Sequence, residues 1–195
     1  MLREKLKNYK LILASGSPRR HQFFKELDVD FIVQIREVIE KFPNKLKGAE
    51  ITDYLANLKS QAFTNLAEND LLVTSDTIVW SNDKALGKPK NKEEAYTMLK
   101  ELSGQKHEVI TSISIRTSTF QKIINDTTTV YFKEISDKEI TYYIDNYQPF
   151  DKAGAYGIQE WLGLIAIHKI EGSYFNVAGL PVHKLYDELM NLPSI

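Results

Sequence analysis

Two guanidiniums stand directly behind a turn of small residues in Ser15-Gly16-Ser17-Pro18-Arg19-Arg20. The apolar run Leu11-Ile12-Leu13-Ala14 before them reads as a buried strand delivered into a helix start, with Ser17 suited to the N-cap and Pro18 to the first helical position. Such a terminus offers backbone N–H groups to an anion, and arginine forks grip phosphate oxygens. Without an anion, cations in a first helical turn oppose the helix dipole at a cost of about 0.3–1 kcal/mol each. The segment therefore reads as a phosphate-chain site, with an ordinary capped helix and solvated arginines as the plainer alternative.

A second chemical signal is Asp76, set between Leu71-Leu72-Val73 and Ile78-Val79-Trp80 in the most strand-like stretch of the chain. An ionised carboxylate there is costly to bury unless a metal, a lysine or hydrogen bonds compensate it, and strand-end aspartates facing a cleft serve as metal ligands and general bases. The alternative is an aspartate that caps its own loop. Lys59, just off the apolar stripe of a helix, and Lys88, in the turn Leu86-Gly87-Lys88-Pro89, could neutralise phosphate. Glu40 could join Asp76 around a divalent cation, because hard oxygen ligands suit magnesium or manganese carried on phosphates. Each of these three is, taken alone, an ordinary solvated charge.

Other chemistries lose their support. The chain has no cysteine, which removes thiol nucleophiles, thiolate zinc sites and disulfides and fits a reducing cytoplasm. Its four histidines, His21, His107, His168 and His183, share no ligand spacing and read as structural. Neither G-x-x-x-x-G-K-[ST] nor G-x-G-x-x-G occurs, so kinase and dinucleotide readings lack their loops.

The elements that must position these groups follow from periodicity. The first helix carries Phe23, Phe24 and Leu27 inward. A strand at about 31–35 leads to a long helix with Ile51, Leu55, Leu58, Ala62 and Leu66 on one stripe. Strands are expected around 71–80, 109–115, 127–132 and 164–170, and helices around 92–102 and 137–147, with a closing helix that buries Leu185 and Leu189. The chain of 195 residues can bury a sizeable core, and its 25 basic against 26 acidic side chains provide no field for nucleic acid or anionic membrane. The charged N-terminal segment reads as neither a signal peptide nor a membrane span, so the expectation is a cytoplasmic protein with no nucleic-acid or membrane partner.

The ordered set Leu11 to Arg20, Leu55 to Lys59, Ser75-Asp76-Thr77, Gly87-Lys88-Pro89, Leu102-Ser103-Gly104, Lys152-Ala153-Gly154-Ala155-Tyr156-Gly157-Ile158-Gln159 and Gly179-Leu180-Pro181 resembles the Maf family of nucleotide pyrophosphatases. The resemblance implies one domain over residues 1–195: an α/β fold with a mixed twisted sheet and flanking helices, forming two lobes around a deep active-site cleft like the inosine triphosphate pyrophosphatases, and usually a homodimer. It implies that Ser17, Arg19, Arg20, Lys59 and Lys88 hold a triphosphate, that Asp76 is the catalytic carboxylate and a metal ligand, and that Glu40 and Gln159 complete the metal and water site. The form Ala155-Tyr156-Gly157-Ile158-Gln159 is similar to the branch acting on dTTP and UTP. Three positions depart from the family pattern: Ser75 stands for Ala or Gly, Ile39 for a second acid, and Ser112 for Gly. With no acid at position 39, one magnesium or manganese ion is expected.

The implied reaction is attack of water on the α-phosphorus, giving a nucleoside monophosphate and pyrophosphate, with nucleotide-pool cleansing as the task. Two rivals stay open at this level. One is a pyrophosphatase for another modified nucleotide, since the phosphate grip is generic and pocket walls choose the base. The other is a nucleotide-binding regulator of cell division with little turnover.

Overall fold

The computed structural model describes residues 1–193; the expected domain runs to 195, and its last two positions lie outside the described residues. The chain divides into two compact units, the first built from Met1–Asp76, Thr111–Asp126 and the stretch from Gly179 on, the second from Thr77–Ile110 and Thr127–Ala178. Three strands, β3 (Asp70–Ser81), β5 (Lys106–Arg116) and β6 (Gln121–Phe132), contribute residues to both. With β1 (Lys10–Leu13), β2 (Ile32–Val33), β4 (Lys84–Leu86) and β7 (Ile167–Glu171) they make one mixed seven-stranded sheet in the order β2-β1-β3-β5-β6-β7, with β4 paired to β3. Strand β1 runs parallel to both β2 and β3, whereas the pairings β3 with β4 and β6 with β7 are antiparallel. This is the expected α/β class.

In the first unit, α1 (Leu2–Lys5), α2 (Pro18–Glu26) and α8 (Val182–Met190) close a core of Leu11, Leu13, Phe24, Leu71, Val73, Ile113, Ile115, Leu185 and Leu189. Each such side chain, fully buried, contributes about 1.5–3 kcal/mol by leaving water. Side chains alternate across a strand, so Leu71 and Val73 enter this core while Leu72 points the other way onto Ile12 and Phe63. The same period of two carries Thr74 and Asp76 to the face that Leu72 occupies. Helix α3 (Ala49–Gln61) covers that face: the Thr74 hydroxyl donates to the Ala56 carbonyl at 2.7 Å, and Lys59, three residues along the helix, falls over Asp76. The departure Ser112 helps to hold the helix, its hydroxyl lying 2.6 Å from Asp53 Oδ1.

The second unit packs α4 (Lys92–Leu102), α5 (Asp137–Tyr147) and α6 (Trp161–Ala166) around Leu99, Leu102, Val109, Val130, Ile140, Tyr143 and Leu162. Helix α4 is capped by Asn91, which accepts from the Glu94 N–H at 2.9 Å. Helix α5 opens with a capping box, Ser136 and Glu139 exchanging side-chain and backbone bonds. Among the described residues no helix is long and apolar enough to cross a membrane.

Three expectations need correction. The strand expected at 164–170 starts at Ile167, because residues 161–166 form a helix: Gly163 packs against the Ile158 carbonyl, where a Cβ would lie 2.0 Å from the oxygen. The stripe extended to Leu66 outruns α3, which ends at Gln61 as Phe63 turns into the patch with Ile12 and Leu72. Strand β2 keeps only two residues of the expected five, both exposed. Strand β3 runs through Asp76 to Ser81.

Candidate active site

The turn after β1 is organised by Ser15. Its hydroxyl accepts the Ser17 N–H at 3.2 Å, and its carbonyl lies 2.6 Å from His21 Nε2. Ser17 occupies the N-cap of α2 and Pro18 the first turn, as expected, but the Ser17 side chain makes no capping hydrogen bond. The first turn carries no acidic residue, so the positive end of the helix dipole lies beside Arg19 and Arg20.

Arg20 is held by contacts within the protein. Its Nε donates to the Gly179 carbonyl at 2.8 Å and its Nη1 to the Ser75 carbonyl at 3.0 Å, with the Ser15 hydroxyl at 3.4 Å. One guanidinium thus fastens three segments far apart in sequence, and Ser75 immediately precedes Asp76. Burial lowers the Arg20 pKa to about 10, against the opposing pull of Asp76, so the group stays charged at neutral pH. The departure at Ser75 has its own consequence: its hydroxyl is buried with no hydrogen-bond partner among the described residues.

Asp76 is the most enclosed of the candidate carboxylates. Only 8% of its side chain is exposed, and Oδ1 accepts Lys59 Nζ at 2.6 Å. The same ammonium lies 3.1 Å from Glu40 Oε1, on a loop carboxylate that is 47% exposed. Burial raises the Asp76 carboxyl above its ordinary value, Lys59 and then Arg20 pull it back, and Glu40 adds a smaller push upward. A carboxylate so placed is a proton acceptor more basic than an ordinary aspartate.

Asp76 and Glu40 converge on one cationic centre, which here is the Lys59 ammonium. Two carboxylates suit a divalent cation that brings its remaining oxygens from phosphates. Among the described residues no group of three or more Asp, Glu or His side chains is placed to hold a metal.

Arg20, Glu40, Lys59 and Asp76 are therefore brought together in the first unit, with Ser17 and Arg19 at the same unit's α2 terminus. Lys88 and Gln159 belong to the second unit, and both are exposed. Sequence reasoning missed the stapling by Arg20, which no spacing discloses because its acceptors are backbone carbonyls. It also missed the Lys59 bridge, which depends on α3 crossing β3 at Thr74 and Ala56.

Residues 10–192 match the family described as Maf-like protein. A dTTP/UTP pyrophosphatase of Flavobacterium johnsoniae is 58% identical over 193 residues, covering 98% of this chain and all of its own. Its namesake in Flavobacterium psychrophilum is 59% identical, with 98% of each chain covered, and that of Parabacteroides distasonis is 48% identical, with 95% and 97% covered. Among solved structures, a HAM1 protein from Coxiella burnetii aligns with 14% identity and a TM-score of 0.43 over 64% of this chain and 73% of its own, too distant a likeness to inform the site.

Proposed function

The chain belongs to the Maf-like protein family, and on that footing we propose that it is a nucleoside triphosphate pyrophosphatase that cleaves dTTP and UTP to the monophosphate and pyrophosphate. The observation that carries the chemistry is the buried Asp76 carboxylate, raised by desolvation and held at 2.6 Å by Lys59. The substrate assignment is supported by the curated relatives named for dTTP and UTP.

In this reading Asp76 takes a proton from water as the water oxygen bonds to the α-phosphorus, and the bond from that phosphorus to the bridging oxygen of pyrophosphate breaks. The α2 terminus with Ser17 and Arg19 binds the phosphate chain. Arg20 adds positive potential while its fork holds Ser75, and hence Asp76, in place. Lys59 keeps Asp76 oriented and balances charge as the proton arrives. Lys88 and Gln159 are proposed as further substrate contacts on their motif positions alone. Asp76 and Glu40 would hold one magnesium or manganese ion, which supplies Lewis-acid stabilisation of phosphate charge when bound. Action on free nucleotides rather than nucleic acid, a homodimeric state, a cytoplasmic setting and nucleotide-pool cleansing belong to the same proposal, supported by the family resemblance.

The test is pyrophosphate release across a panel of canonical and modified nucleoside triphosphates with magnesium, with manganese and with chelator. Release from dTTP or UTP, with the monophosphate as co-product and loss on chelation, is expected. Tight nucleotide binding without release would overturn the enzymatic reading.

A further inference from the structure

Outside the Asp76 site, a cluster of interacting ionisable side chains lies in the second unit, around the loop that ends in Gln159. Lys152 is almost fully buried, its Nζ lying 2.6 Å from Asp151 Oδ1 and 3.0 Å from Glu160 Oε1. The other Glu160 oxygen accepts the Tyr143 hydroxyl. Tyr143 is itself fully buried, and its hydroxyl oxygen accepts the Gly157 N–H at 3.1 Å.

We propose that Tyr143, Lys152 and Glu160 are positioning residues that clamp the 153–159 loop, and with it the 87–89 turn, in the conformation that presents Gln159 and Lys88 to substrate. The inference rests on the proposed function, in which those two residues meet the nucleotide. Three features favour a clamp over a phosphate-binding lysine or an incidental ion pair.

First, the Lys152 ammonium is already enclosed by two carboxylates, so the cluster carries net negative charge and is closed to an anion. Second, the cluster holds backbone as well as side chains. The Gly157 N–H ends on Tyr143, and a Cβ at Gly157 would lie 2.9 Å from Glu160 Cδ, an atom that Lys152 and Tyr143 prevent from moving aside. Third, the loop is tied onward to the lysine turn. The Gly154 N–H donates to the Gly87 carbonyl at 3.0 Å, and Gly154, at φ +66°, sits so close to Val79 that a Cβ would come within 2.6 Å of it. Removing the Tyr143 hydroxyl leaves a buried N–H and a carboxylate oxygen without partners, and the loop is free to satisfy them elsewhere.

The experiment compares Tyr143→Phe and Glu160→Gln with the wild type in steady-state pyrophosphate release from dTTP, and follows amide exchange over residues 153–159. The expected result is a KM raised about tenfold with kcat within about threefold, the mark of lost ground-state binding, together with exchange about tenfold faster in the loop. Tyr143→Phe keeps the buried ring, so it serves if Glu160→Gln does not fold. Unchanged loop exchange overturns the clamp; faster exchange with unchanged KM overturns its link to substrate. A wild type inert on every nucleotide overturns the proposed function and that link with it, while exchange still decides on the clamp.

Discussion

Two lysines in this molecule each stand between a largely buried and an exposed carboxylate: Lys59 between Asp76 and Glu40, and Lys152 between Glu160 and Asp151. Their charges are the same and their surroundings differ. Glu160 spends both oxygens on protein donors, and the donors in turn hold a loop. Asp76 has one short bond to Lys59, a staple behind it from Arg20 to the Ser75 carbonyl, and a carboxyl that burial has made more basic. A saturated cluster maintains shape, whereas a desolvated group with unspent acceptor capacity can take up a proton. Residue type alone separates neither case.

The comparison breaks most visibly through substitution of the less exposed carboxylate in each pair. Asp76→Asn is expected to cut kcat by about 10²–10⁴, the usual range for a positioned base, while Glu160→Gln changes kcat little. Equal losses in kcat from both variants in one steady-state assay would erase the distinction. Because the native state holds the Asp76 proton more tightly than the unfolded chain, ionised Asp76 opposes folding at neutral pH. Asp76→Asn should therefore melt no lower than the wild type, which a thermal scan at pH 7 will show.

A smaller effect is expected behind Asp76. Arg20→Lys keeps the charge and loses the fork that reaches Gly179 and Ser75 together, with an expected loss of about 1.5–3 kcal/mol in urea unfolding. An unchanged midpoint would mean that the staple is dispensable. The comparison is sharpened by pH. The acid limb of kcat/KM should lie above the ordinary aspartate range, move further up in Lys59→Met and move down in Glu40→Gln, since Lys59 lowers and Glu40 raises the Asp76 carboxyl. Coincident limbs in all three proteins would remove Asp76 as the titrating base.

The smallest effect belongs to His107, which donates to or accepts from the Tyr156 hydroxyl at 2.8 Å and whose burial lowers its pKa from 6.5 to about 4. The unfolded chain takes up this proton first. Stability tied to His107 is thus present above pH 6.5 and lost as pH falls toward 4. His107→Gln should flatten the stability profile across that window in urea titrations.

Much of this was legible in the residues. Pro18 after Ser17 set the α2 start, and the helices expected around 92–102 and 137–147 are α4 and α5. What escaped was decided by contacts distant in sequence. Gly163 reads as one residue of an apolar run until the Ile158 carbonyl is placed against it. The burial of Lys152 depends on Glu160, which folds back over Gly157. Among the site residues, Asp76 announced itself by sitting in an apolar strand, whereas the partnership of Lys59 with it required the crossing of β3 and α3.

Strand β2 has a consequence for handling the protein. It is the terminal strand of the sheet order, and Ile32 and Val33 are 38% and 42% exposed. An open apolar margin is a template for further strands, the first step toward fibres. Here the template is two residues long and offers too few unpaired amides to seed stacking, so colloidal stability at high concentration depends on β2 staying short. Replacements that lengthen it into the following segment would be the ones to precipitate.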